Sequence, residues 1–177
     1  FVPYTDMGRH RLDHLERALD AVRADEVPGD LVECGTGHGG GAVFLRAWLD
    51  AHEIGATRVW VADRFRSSEE PRKAPNLPSN GVAGFQADLN LVREAFDRFE
   101  LLDGRVRFLQ GPLAETLPDA PVEQVALLRI GRTAAPEADD ASTLGGVRAI
   151  TIGRDGRRAF VTFGNDEGLA VLDLSDQ

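Results

Sequence analysis

The residues best placed to do chemistry are Glu33, the glycine-dense run Gly35-Thr36-Gly37-His38-Gly39-Gly40-Gly41, and Asp63. Gly35, Gly37 and Gly40 fit the spacing G-x-G-x-x-G, in which glycines admit positive φ and let a ligand approach without a Cβ in the way. The apolar pair Leu31-Val32 leads into the run, and Val43, Phe44, Ala47, Trp48 and Ala51 follow at helical spacing. The order is therefore strand, tight loop, helix. The start of that helix presents free N–H groups and partial positive charge, which suit a phosphate or the carboxylate of an amino-acid moiety. About 23 residues after the glycines, a second strand over 58–62 ends on Asp63, where an acid can accept hydrogen bonds from ribose hydroxyls. Together these features imply a nucleoside-containing cofactor.

Glu33 selects among such cofactors. A carboxylate just before the first glycine suits an ammonium group, as on S-adenosylmethionine, better than the pyrophosphate of a dinucleotide. Three other readings compete: a glycine-rich turn with no ligand, a Glu33 that only caps nearby amides, and a dinucleotide-dependent oxidoreductase resting on the glycine spacing alone.

The bulk properties set limits. The chain has 177 residues, 42% hydrophobic and 28% charged, with a formal net charge of −9. That length suits one domain with a real core, and we read residues 1–177 as one domain. The negative charge argues against nucleic acid, which requires clustered Lys and Arg. Arg154, Arg157 and Arg158 form the one small basic group, expected to solvate a hairpin turn. No run approaches the roughly 18 apolar residues of a membrane span. No signal peptide opens the chain, and Phe1 is read as a processed or truncated start. Cys34 is the sole cysteine, which excludes an intrachain disulfide and a multi-cysteine metal site and fits a cytoplasmic location.

The elements that must position these residues follow in order. A first helix carries Leu12, Leu15, Leu19 and Val22 inward, with Asp13, Glu16, Arg17 and Asp20 solvated, and stops at the turn 27–30. The second helix is expected to end near Gly55. Residues 66–87 lack periodicity and leave the ligand end of the second strand, so they read as a lid loop or as disorder. Asp88 resembles an N-cap for a helix with Leu89, Val92, Phe96 and Phe99 on its apolar face. A third strand over 106–109, a short helix over 113–117 and a continuously apolar fourth strand over 125–128 complete an alternating pattern. Such alternation implies an α/β, Rossmann-like, mostly parallel sheet with helices on both faces. The ligand then lies at the carboxyl ends of the strands, near Gly35, Asp63 and Gly111. The β-rich part over 146–174 reads as three strands joined by hairpins, an antiparallel edge. It also resembles a fragment of a β-propeller blade, which a single copy cannot close.

With these elements placed, the chain resembles the macrocin O-methyltransferase family from about Gly8 to Arg129. The matching residues are 27–33, Gly35 with Gly39-Gly40, 59–63 followed by Phe65, 92–96, 101–103, 106–109, Gly111, 116–118 and 126–129. The resemblance implies a class I methyltransferase fold and methylation of a sugar hydroxyl on a macrolide-like natural product. It places Glu33, Gly35 and Asp63 against S-adenosylmethionine and Gly111 near its adenine. Thr36, Gly37, Gly39 and Arg64 complete the expected cofactor site. Expected partners are a small hydroxyl-bearing acceptor and a second copy or a larger parent protein.

The departures from the family are concentrated near the end. The family's metal-binding carboxylates correspond here to residues around Ile130-Gly131-Arg132-Thr133 and Thr151-Ile152, none of which supplies the hard oxygen ligands magnesium needs. Asp139 and Asp140 lie off-register, so no metal site is expected. Of the four histidines, His10, His14 and His52 read as surface residues, and His38 in the glycine run is the candidate general base, beside Glu69 or Glu70 of the lid. A non-catalytic methyltransferase-like domain with a structural or regulatory role is the alternative.

Overall fold

A computed structural model describes residues 5, 7–65, 87–131, 147–152, 158–163 and 169–173. Four helices alternate with the first four of seven strands along the described chain: α1 (Arg9–Ala24), β1 (Asp30–Cys34), α2 (Gly40–Ala51), β2 (Val59–Asp63), α3 (Leu89–Arg98), β3 (Val106–Gln110), α4 (Leu113–Thr116) and β4 (Val125–Ile130), followed by β5 (Val147–Ile152), β6 (Arg158–Phe163) and β7 (Leu169–Asp173). One sheet holds all seven strands in the order β3-β2-β1-β4-β5-β6-β7. β1 to β4 are mutually parallel, and β5 to β7 continue the sheet antiparallel from β4. The antiparallel edge expected from the hairpin spacing is thus an extension of the parallel core. The turns between those last strands, the loop 66–86 and Asp139-Asp140 lie outside the described residues.

The period of 2 along each strand sorts side chains between two faces. On one face Leu31, Val59, Val61, Val106 and Leu127 pack with Leu15 and Leu19 of α1, Leu45, Trp48 and Leu49 of α2, and Val92 and Phe96 of α3. On the other face Val32, Cys34, Trp60 and Ala62 pack with Leu109 of β3 and Leu128 of β4 and with Leu113 of α4 and Val122. Helices therefore lie on both faces, unequally: three long helices against one short one. The strand order accounts for this, since the crossover from β3 back to β4 passes beyond β1 and right-handed connections then put α4 opposite α2 and α3.

Three helix ends share one device, and those of α2 and α3 depart from the sequence expectation. α2 stops at Ala51, short of Gly55. Glu26, Glu53 and Glu100 take left-handed φ of 50°, 56° and 57°, a conformation that costs a non-glycine residue on the order of 1–2 kcal/mol. The next residue in each case turns back into the core: Val27, Ile54 and Leu101 donate to the carbonyls of Val22, Leu49 and Phe96, each at 2.9 Å. This is the geometry usually reserved for glycine. Phe99, expected on the apolar face of α3, is exposed because the helix ends at Arg98, and Leu101 is buried instead. Ala51 is likewise exposed, whereas Leu45 and Leu49 are fully buried. Val125 is exposed at the start of β4, ahead of the covered part of that strand. The N-cap at Asp88 is as expected, its carboxylate accepting from the amides of Asn90 and Leu91.

Arg46 closes the far end of α2. It is buried, yet reaches Asp103 at 2.7 Å and Asp50 at 3.3 Å. The Arg46 guanidinium holds the Asp103 carboxyl well below the usual carboxylate range. A depressed carboxyl contributes stability that is fully present at neutral pH and lost as pH falls through its folded-state value. Asp103→Ala is expected to cost about 1–2 kcal/mol in urea unfolding at pH 7, less than a fully buried pair because Asp103 is partly exposed and Asp50 remains. The deficit should shrink on strong acidification, and a deficit unchanged with pH would dissociate Asp103 from Arg46.

Candidate functional site

The sheet reverses its winding between β1 and β4, and the crevice of an open α/β sheet lies at the carboxyl ends beside such a point. The chain spends three backbone hydrogen bonds there beyond the strands themselves. Gly35 N donates to Ala62 O at 2.8 Å, Gly111 N to Asp63 O at 3.1 Å, and Gly131 N to Cys34 O at 2.6 Å. The loops that leave β1, β3 and β4 are therefore stitched to neighbouring strands before they diverge. Gly35, Gly37 and Gly39 take φ of 76°, 58° and 86°. Gly39, the N-cap of α2, also abuts α3: a Cβ there would lie 2.8 Å from Val92 Cγ1. The glycine loop is seated against the core by that contact and gives α2 no capping side chain.

Glu33, Thr36 and Asp63 form one buried network. Asp63 stands at the end of β2, and its carboxylate accepts from the amide of Thr36 at 2.9 Å and from that of Phe65 at 3.3 Å. Desolvation pushes the Asp63 carboxyl up from its ordinary value, opposed by amides of Phe65, Thr36, Gly37 and Arg64. Thr36 Oγ1 donates to Glu33 Oε2 at 3.0 Å. The other oxygen, Oε1, is paired with Arg129 Nη1 from β4. Glu33 and Arg129 are register partners in the parallel ladder, so a carboxylate on one strand meets a guanidinium on the next. Arg129 Nη2 lies 2.9 Å from Met7 Sδ.

The structure thus brings together Glu33, Gly35, Thr36, Gly37, Gly39, Asp63 and Gly111 at one end of the sheet. Arg64 follows Asp63 with an exposed side chain, and His38 is half-buried in the same loop. Glu69 and Glu70 lie outside the described residues. His52, read as a surface residue, is half-buried and stacked on Trp48 with ring centroids 4.2 Å apart. Sequence reasoning missed Phe65 as a site-forming residue. It is buried, left-handed at φ 41°, and packed edge-on to Phe108 at 6.2 Å. Strain of this kind persists where its surroundings over-determine it, and here it brings the Phe65 amide back to Asp63. The Arg129 partner of Glu33 was also missed, because only strand register places it there.

Among the described residues, those at the end of β4, Ile130 and Gly131, offer no carboxylate to a divalent cation. A Cβ on Gly131 would run into the carbonyl of Gly35, so a carboxylate-bearing side chain has no room at that position on this backbone. Among the described residues no three His, Cys, Asp or Glu side chains converge as a metal cluster. No described helix is long and apolar enough to cross a membrane.

Comparison with known proteins is consistent with this geometry. The chain is 43% identical over 137 residues to the 8-demethyl-8-(2,3-dimethoxy-alpha-L-rhamnosyl)-tetracenomycin-C 4'-O-methyltransferase of Streptomyces olivaceus, covering 73% of this chain and 52% of that protein. It is 36% identical over 137 residues to the Mycinamicin III 3''-O-methyltransferase of Micromonospora griseorubida, covering 73% and 54%. The solved structure of the O-methyltransferase NovP superposes with a TM-score of 0.63 at 33% identity, over 73% of this chain and 56% of that one. The chain therefore spans about half the length of the curated relatives it matches. With residues 1–133 matching the Macrocin-O-methyltransferase (TylF) family, beside a glycine loop, a β2 acid and a parallel β1–β4 sheet flanked by helices, the chain belongs to that family.

Proposed function

We propose that this chain is the cofactor-binding part of an S-adenosylmethionine-dependent O-methyltransferase acting on a hydroxyl of a sugar-bearing natural product. The observation that carries the reading is the Thr36–Asp63 bond, which fixes a glycine loop and a β2 carboxylate side by side at the switch point of the sheet. The names of the relatives, one of them acting on a rhamnosyl-bearing compound, supply the acceptor class. Residues 8–129 form the cofactor-binding core in this reading. Other features of the proposal are a second copy or a larger parent protein and a cytoplasmic location.

When bound, the cofactor supplies an electrophilic methyl group on a sulfonium. The chain's part is to bind, orient and deprotonate. Gly35, Gly37 and Gly39 let backbone amides approach the amino-acid moiety, and the start of α2 favours its carboxylate. Asp63 retains acceptor capacity for ribose hydroxyls, since the amides of Thr36 and Phe65 each occupy one lone pair of a different oxygen. Gly111, with Thr36 and Arg64, borders the nucleoside. His38 is the candidate to take the proton of the acceptor hydroxyl, while most of the acceleration comes from holding that oxygen in line. A second reading, a methyltransferase-like domain without turnover, is favoured by Gly131 standing against the Gly35 carbonyl.

Calorimetric titration with S-adenosylhomocysteine, with NADH as control and EDTA present, tests the assignment. Micromolar binding of the adenosyl ligand alone, unchanged by EDTA, is expected. Binding of NADH, or of neither ligand by folded protein, overturns the cofactor assignment. A clear loss with EDTA overturns the metal-free site. Given binding, single-turnover methyl transfer to a glycosylated acceptor decides between the two readings.

A further inference from the structure

Glu33 is fully buried, and both its oxygens are engaged, one by Arg129 and one by the Thr36 hydroxyl. At full burial a ligand ammonium could reach it only if the residues that cover it moved. Thr36, in contrast, is gripped at both ends: its hydroxyl by Glu33 from β1 and its amide by Asp63 from β2. Fixing both groups of one residue fixes the path of the loop that follows, through Gly37 and His38 to the start of α2. Burying a carboxylate this completely is costly unless a counter-charge sits beside it, and Arg129, its partly buried register partner on β4, supplies that charge.

We propose that Arg129 and Glu33 are a positioning pair for the glycine loop, acting through Thr36 and not by touching the ligand. Arg129 pairs with one oxygen of Glu33, the other oxygen orients the Thr36 hydroxyl, and Thr36 sets the amides that face the ligand. β4 thereby acts on a site built from β1 and β2. Only the ligand readout below rests on the cofactor reading proposed above.

The test is a double-mutant cycle on Thr36→Val and Arg129→Met. Two quantities are read on folded protein: S-adenosylhomocysteine affinity by calorimetry, and hydrogen exchange of the amides of residues 35–39 without ligand. Each single substitution is expected to weaken binding about fivefold or more and to speed loop exchange. Arg129→Met added to Thr36→Val is expected to weaken it less than about twofold further, because residues acting along one chain are not additive. Losses that multiply mean that Glu33 or Arg129 reaches the ligand by another route, and they overturn the proposal. Should Arg129→Met fail to fold, the charge-neutral pair Arg129→Met with Glu33→Gln takes its place under the same criteria. Should the unmodified chain bind no S-adenosylhomocysteine, the cofactor reading fails, and loop exchange alone decides the positioning pair. Faster, non-additive exchange supports it, and exchange unchanged by Arg129→Met overturns it.

Discussion

Gly41→Ala is expected to destabilise the protein by about 2–4 kcal/mol, although replacing a helical glycine by alanine ordinarily stabilises by about 1 kcal/mol. The sign is decided beneath the helix. Gly41 is the second residue of α2, and a Cβ there would meet Glu33 Oε1 and come within 2.9 Å of Arg129 Nη1. A carboxylate is the end of a flexible side chain and could swing aside elsewhere. This one is fully buried and held at both oxygens, so moving it means breaking the pair. Overpacking costs about 1–3 kcal/mol, and breaking a buried ion pair about 3–5. Partial relaxation and the gain in helix propensity reduce the sum. Urea unfolding measures the effect. A variant as stable as the parent would show that the Glu33–Arg129 pair has slack that its burial denies.

Asp63→Ala is expected to weaken S-adenosylhomocysteine binding by about 1–3 kcal/mol, roughly 5- to 150-fold, with a smaller loss of stability. Two amides, of Thr36 and Phe65, lose their acceptor, and the ribose loses its partner. Against this, burial already opposes the charged carboxyl, so removing it returns part of the stability. The pH dependence separates the two effects. Because the folded-state pKa of Asp63 is raised, its contribution to stability grows as pH falls through that value toward the unfolded one. Ligand binding, which draws on the carboxylate as an acceptor, weakens over the same interval. Affinity and the Asp63 contribution should therefore move in opposite directions on mild acidification, and they should do so in the parent and not in Asp63→Ala. Parallel movement, or an affinity indifferent to Asp63, would remove this residue from the ligand site.

The architecture was legible in the residue order alone, which also proposed a place for the candidate site. Alternation of helical and strand periodicities specifies an α/β sheet, since period 3.6 and period 2 bury different sets of residues. The glycine run and the acid closing the second strand marked the candidate site, because loop φ and strand-end position are local properties. Asp88 as a cap was legible for the same reason. What depends on neighbours distant in sequence was not. Helix ends at Glu53 and Glu100 are set by Ile54 and Leu101 reaching the core, which overrides the preference for glycine at a left-handed position. Phe65 adopts its strained backbone because Phe108 and the core hold its ring. The clearest case is Glu33. Its type and place next to the first glycine suit a ligand ammonium, and no local rule forbids that reading. The parallel register puts Arg129 beside it, 96 residues away along the chain, and the pairing of two charges out of water turns a residue that looks exposed to ligand into one sealed beneath the loop.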